Sequence, residues 1–172
     1  MRRVSVVGTS GSGKTTVARR LAERLAVPHI ELDAIFWGPD WTPIDNDLFR
    51  DRVQTAVAGE AWVSDGNYSA VQPIVLERAD TVVWLDLPLR VCLWRVLRRT
   101  ARRSRSAEVL WSGNREAWRK HVGRDSLIWW VLTTYRRRRR DYAARFAAPE
   151  LAHLRVHRFS TTGQAEAWLT SL

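Results

Sequence analysis

At 172 residues and 45% hydrophobic composition, the chain has enough apolar material for one domain with a core and too little for two. The net charge is +10, Cys92 is the single cysteine, and no apolar run reaches the roughly 18 residues of a membrane span. These facts exclude an internal disulfide, a cysteine-built zinc site and a transmembrane helix, and with no signal-peptide pattern before the first strand they lead to a cytoplasmic expectation.

Residues 2–7 are rich in valine and read as a short strand. They run into Gly8, Thr9, Ser10, Gly11, Ser12, Gly13, Lys14 and Thr15, the P-loop pattern G-x-x-x-x-G-K-[ST], with Thr16 opening an amphipathic helix to residue 26. In that pattern glycines let backbone N–H groups wrap a phosphate chain, and the helix N-terminus adds its positive dipole end. Lys14 is placed to reach the β- and γ-phosphates, and the Thr15 hydroxyl to ligate Mg²⁺.

Residues 28–33 read as a second strand ending in Asp33, and 34–42 as a loop carrying Phe36, Trp37 and Trp41. Leu48, Phe49, Val53 and Val57 fall at helical spacing within 45–58. A third strand, 61–65, ends in Asp65 and is followed by a turn at Gly66, Asn67 and Tyr68. A short helix over 71–79 leads to the strongest strand signal, 81–87, whose near-continuous apolar character predicts cover on both faces. Asp86, just before Leu87 and Pro88, reads as a turn or capping residue. A helix from Leu89 then runs into Arg95, Arg98, Arg99, Arg102 and Arg103, followed by a loop or lid over 104–114. A further helix carries Trp118 and the segment 127–146; a last strand spans 154–159 and a last helix 164–169.

The alternation of strands and helices predicts an α/β domain with a parallel sheet, helices on both faces and right-handed crossovers. Ligands in such sheets lie at the carboxyl ends of the strands, where the P-loop, Asp33 and Asp65 fall. Asp33 is the candidate to orient or deprotonate an acceptor hydroxyl, and Asp65 to hold Mg²⁺ with Thr15. Basicity is regional: residues 95–140 hold fourteen Arg and one Lys against Glu108, Glu116 and Asp125, a net +12 that leaves the rest at −2. Such a segment has two candidate partners, nucleotide phosphates or nucleic acid.

The P-loop, Glu31-Leu32-Asp33 with Phe36-Trp37, residues 62–68, residues 84–88, residues 111–116 and the segment 135–142 together resemble the adenylate-kinase-related P-loop proteins called topology modulation proteins. The resemblance covers nearly the whole chain. It implies a single three-layer P-loop NTPase domain of the nucleotide-kinase type over 1–172, with a five-stranded parallel sheet in the order 2-3-1-4-5. It further implies an acceptor region at about 33–60 and a basic helical lid at about 99–124. Asp65 then takes the Walker B place, Arg95 and Arg99 are lid-hinge arginines near ATP, Arg138 is a phosphate-binding arginine, and 160–163 holds adenine. Adenylate kinases bind their monophosphate with arginines soon after strand two and after the Asp-Gly turn of strand three; here 34–38 and 67–69 contain none. The expected function is ATP- and Mg²⁺-dependent transfer of a γ-phosphate to a small hydroxylated or nucleotide-like acceptor. The alternative is a nucleotide-regulated protein that binds nucleic acid through 95–140, although no recognition motif accompanies that segment. A GTPase switch ranks last, for want of an Asn-Lys-x-Asp run.

Overall fold

The structure is a computed structural model describing residues 1–106, 110–114 and 127–172. Five strands, β1 (Arg3–Gly8), β2 (His29–Glu31), β3 (Trp62–Asp65), β4 (Thr81–Leu85) and β5 (Arg155–Phe159), form one sheet in the order 2-3-1-4-5. Every pairing is parallel, with Val4 against Val63 on one side of β1 and against Thr81 on the other. Seven α-helices are described: α1 (Lys14–Leu25), α2 (Leu32–Phe36), α3 (Asn46–Ala56), α4 (Gln72–Arg78), α5 (Leu89–Ser106), α6 (Leu127–Phe146) and α7 (Thr162–Thr170).

The two-residue period of the strands builds two cores. Val4 and Val6 of β1 with Val83 and Leu85 of β4 pack against Val17 and Leu21 of α1 and Leu169 of α7. Val7, Val82 and Trp84 point the other way, toward Phe49, Val53, Leu76 and Tyr142 of α3, α4 and α6. The strand over 81–85 is therefore covered on both faces, as its composition predicts.

Two local expectations are corrected, and one helical position lies off the buried face. The second strand ends at Glu31, and Asp33 lies in the first turn of α2, because Leu32 buries against the core and starts a helix. Leu48 is exposed, since the buried face of α3 is set by Phe49 and Val53 and the neighbouring position turns outward. Helix α5 runs to Ser106, so 104–106 is helical instead of loop; arginine is a good helix former and nothing in that stretch breaks the pattern. The expectations for Trp118 and for the parts of the lid at 107–109 and 115–126 lie outside the described residues.

Asp86 does more than shape a turn. Its side chain is buried at the end of β4 and takes ion pairs from Arg139 of α6 at 2.9 Å and from Arg158 of β5. The Arg158 guanidinium also lies 4.4 Å from the Trp84 ring centroid. One carboxylate thus fastens α6 and the edge strand to the sheet. Both guanidiniums are about half exposed, so the loss on Asp86→Ala falls below that of a fully buried pair, at about 2 kcal/mol. Thermal unfolding followed by circular dichroism is expected to show a midpoint lower by roughly 4–8 °C; an unchanged midpoint would mean that water replaces the carboxylate without cost.

Candidate active site

The carboxyl ends of β1, β2 and β3 open into one cleft of about 1580 Å³. Its floor is the P-loop. Gly11 has φ +84°, and a Cβ there would stand 2.3 Å from the Cys92 carbonyl of α5; Gly13 has φ +93° and begins α1 without a side-chain cap. The first-turn N–H groups of α1 therefore remain available to an anion. Cys92 behind the loop is buried, and burial pushes its thiol up to about 11, which suits an inert packing residue.

Lys14 reaches into the cleft. Burial pushes its ammonium below the ordinary lysine range, while Asp33 and Asp65 pull it back up and Arg99 and Arg138 push it down. Those interactions place the P-loop lysine, both sequence-selected carboxylates and two of the sequence-selected arginines around one space. Arg95 donates to the Ser12 carbonyl at 3.1 Å and to the Thr162 hydroxyl at 2.8 Å, tying α5 to the P-loop and to the start of α7. Arg99, Arg102, Arg103 and Arg138 line the same cleft, and Arg138 also lies 5.8 Å from the Trp130 ring. Five arginines of the basic segment thus line the cleft that holds the P-loop.

Asp65 is almost fully buried. Burial raises its carboxyl above the usual range, opposed by a hydrogen bond from the Thr15 hydroxyl and by the charges of Lys14 and His29. Its Oδ2 has no hydrogen-bonding partner among the described residues, and His29 Nε2 stands 3.9 Å away. A buried carboxylate oxygen left open beside a P-loop threonine fits a hard cation, which takes oxygen ligands and keeps its waters.

Asp33 lines the same cleft. The Tyr68 hydroxyl donates to Asp33 Oδ1, and burial together with the nearby Asp33 charge raises the Tyr68 phenol so far that it stays a donor at any working pH. Phe36, Trp37, Trp41 and Trp111 continue the wall in a chain of edge-to-face contacts, with 4.9 Å between the first two centroids, 5.7 Å between the next two and 6.4 Å between the last.

Sequence reasoning missed the residues that hold this arrangement. Asn67 donates its amide to the Gly8 carbonyl, accepts from the Gly8 N–H at 3.3 Å, and accepts from the Tyr142 hydroxyl at 2.8 Å, so it fixes the entrance of the P-loop to α6. Asn114 donates to the Gly38 carbonyl at 2.8 Å and accepts from the Trp41 N–H at 2.9 Å. Trp111 donates its indole N–H to Glu31 at 2.9 Å, and Ser112 donates to the Trp37 carbonyl. Residues 110–114 are in this way docked on the aromatic wall. The one available signal was a side-chain amide next to each glycine turn, since asparagine there can copy backbone hydrogen bonds.

No protein-family model matches the chain. It is similar to a cytidylate kinase of Nitratidesulfovibrio vulgaris (strain DP4), 43% identical over 56 residues, which cover 29% of this chain and 24% of that protein. A cytidylate kinase of Halobacterium salinarum is 33% identical over 112 residues, covering 56% of this chain and 57% of the relative. The match thus spans about a quarter of the first relative's length and about half of the second's. Among solved structures, a shikimate kinase from Bacteroides thetaiotaomicron superposes with a TM-score of 0.58 at 17% identity, covering 99% of this chain and 95% of that one. A sugar kinase from Janibacter sp. HTCC2649 gives 0.52 at 20% identity, over 99% and 93%. The fold is therefore the three-layer P-loop fold of the nucleotide-kinase type.

Proposed function

We propose that the protein is an ATP- and Mg²⁺-dependent kinase that transfers the γ-phosphoryl group to a hydroxyl of a small acceptor. The observation that carries this reading is that the P-loop with Lys14 and the carboxylate Asp33 line one cleft, with Lys14 under the charges of both Asp33 and Asp65. The kinase names of the relatives support it. In this reading Gly8 to Thr16 and Arg95 bind the triphosphate, Lys14, Arg99 and Arg138 neutralise charge on the transferring group, and Thr15 and Asp65 hold Mg²⁺. When bound, the cation screens the phosphate oxygens against the incoming acceptor. Asp33, steadied by Tyr68, accepts the proton of the acceptor hydroxyl. The acceptor oxygen forms its bond to the γ-phosphorus as the bridging bond breaks, and that electron pair leaves on ADP.

Transfer of radiolabelled γ-phosphate to a pool of hydroxylated metabolites, nucleosides and nucleoside monophosphates tests the reading. Asp33→Asn is expected to lower turnover by about 10²–10⁴ with ATP affinity kept, since only the proton acceptor changes. Full activity in that variant would remove Asp33 from the mechanism. The comparisons lend the nucleic-acid alternative no support, and six arginines of the segment are engaged elsewhere: Arg95, Arg99, Arg102, Arg103 and Arg138 line the cleft and Arg139 is paired with Asp86.

A further inference from the structure

The P-loop is anchored where its strand runs out. The backbone ladder between β1 and β3 ends at Val6 opposite Asp65, and the chain then turns at Gly66, whose φ is +143° and where a Cβ would stand 2.7 Å from the Leu32 side chain. Two residues further along each strand are Gly8 and Asn67, and there a side chain takes over from the backbone. The Asn67 amide donates to the Gly8 carbonyl and accepts from the Gly8 N–H at 3.3 Å, the pair of bonds that a neighbouring strand would have made. Its oxygen has a second donor, the Tyr142 hydroxyl at 2.8 Å. Tyr142 is buried, and burial pushes its phenol up to about 12, so at neutral pH it stays protonated and donates. One turn back along α6, on the same helical face, is Arg138, which lines the cleft and whose charge acts on both Lys14 and Tyr142.

We infer that Asn67 is a positioning residue: through Tyr142 it sets the Arg138 guanidinium of α6 against the phosphate-binding loop. This rests on the kinase reading, in which Arg138 neutralises charge on the transferring group, and adds how that arginine is aimed. Other ties of α6 lead elsewhere. Arg139 pairs with Asp86, and the Tyr135 hydroxyl donates to the Leu87 carbonyl at 3.1 Å, so both hold the helix to the end of β4. Arg145 donates to Gln72 of α4. The Tyr142 bond instead ends on the residue that brackets the first glycine of the P-loop, and it leaves from the turn of α6 next to Arg138. A guanidinium on a long side chain is placed only as well as the helix turn that carries it, and a shift of about 1 Å at a reacting group can cost about 10²-fold in rate. Loss of the hydroxyl would free that turn from the loop without touching any group that meets the phosphates.

Charge stabilisation can be measured without an acceptor. Mg²⁺-ADP, alone and with tetrafluoroaluminate as a mimic of the transferring phosphoryl group, is titrated into the whole chain by calorimetry. The parent chain is expected to bind the fluoroaluminate complex about 10²-fold more tightly than ADP. Tyr142→Phe removes one hydroxyl and keeps the buried ring, and is expected to cut that preference roughly tenfold while ADP affinity stays within about twofold. Arg138→Met is expected to cut it at least as far, and the double variant no further than Arg138→Met alone, because Tyr142 acts through that arginine. Asn67→Ala, which also frees Gly8, is expected to show the loss seen in Tyr142→Phe together with weaker ADP binding. An unchanged preference in Tyr142→Phe, whatever its melting midpoint, or additive losses in the double variant, overturns the inference and leaves the bond a packing feature of α6. A parent chain with no preference for the fluoroaluminate complex would remove the kinase reading itself, and the inference with it, before any variant is compared.

Discussion

Replacing Lys14 by methionine is expected to lower phosphoryl transfer by about 10²–10³ in kcat while the domain stays folded. Methionine keeps most of the buried aliphatic volume and removes only the ammonium. That ammonium is held in the cleft against its own desolvation by Asp33 and Asp65, and in the proposed reaction its further partner is the triphosphate. Its removal acts twice. The transferring group loses a cation at the point where charge develops, and Asp65 loses one of the charges that hold its carboxyl down. Single-turnover kinetics and a melting curve separate the two outcomes. A collapse of the melting transition would show that Lys14 is chiefly a structural counter-ion to the acid pair.

What was legible in the sequence was what is local. The P-loop declares itself because glycine, lysine and hydroxyl positions fall within eight residues between a strand and a helix, and β4 because its apolar run is continuous. Asp33 and Asp65 were recoverable as carboxylates near strand ends, although β2 is only three residues long and Asp33 proved to be one step into a helix. The links that make a site of these parts were not legible. Asn67 meets Tyr142 across 75 positions, Trp111 meets Glu31 across 80, and Asp86 meets Arg158 across 72, with no periodicity to announce them. A polar residue beside a turn looks the same whether it caps its own backbone or fastens a distant element. Nor can composition tell an arginine of 95–140 that lines a cleft from one that is solvated.

Asp65→Asn is expected to divide stability from activity, making the protein harder to unfold and inactive as a kinase. Burial raises the Asp65 carboxyl above the ordinary value of 3.8, despite Thr15, Lys14 and His29. The sign follows from proton counts. Between 3.8 and the raised folded value, the folded chain binds more protons at this site than the unfolded chain, so stability contributed by the group falls as pH rises through that window. Above the window the buried charge is a standing cost. Asparagine removes the charge and keeps an oxygen for the Thr15 hydroxyl, so the midpoint at neutral pH is expected to rise by roughly 2–4 °C, equivalent to about 1 kcal/mol. The same substitution takes away the anionic oxygen that has no hydrogen-bonding partner among the described residues, and with it the proposed hold on Mg²⁺. Transfer is expected to fall by about 10²–10³, and Mg²⁺ is expected to strengthen nucleotide binding less than in the parent chain. A lower midpoint together with retained Mg²⁺ dependence would reverse the assignment. Asp65 would then be a structural partner of Lys14 and His29, and its cost on burial would have no function to offset it.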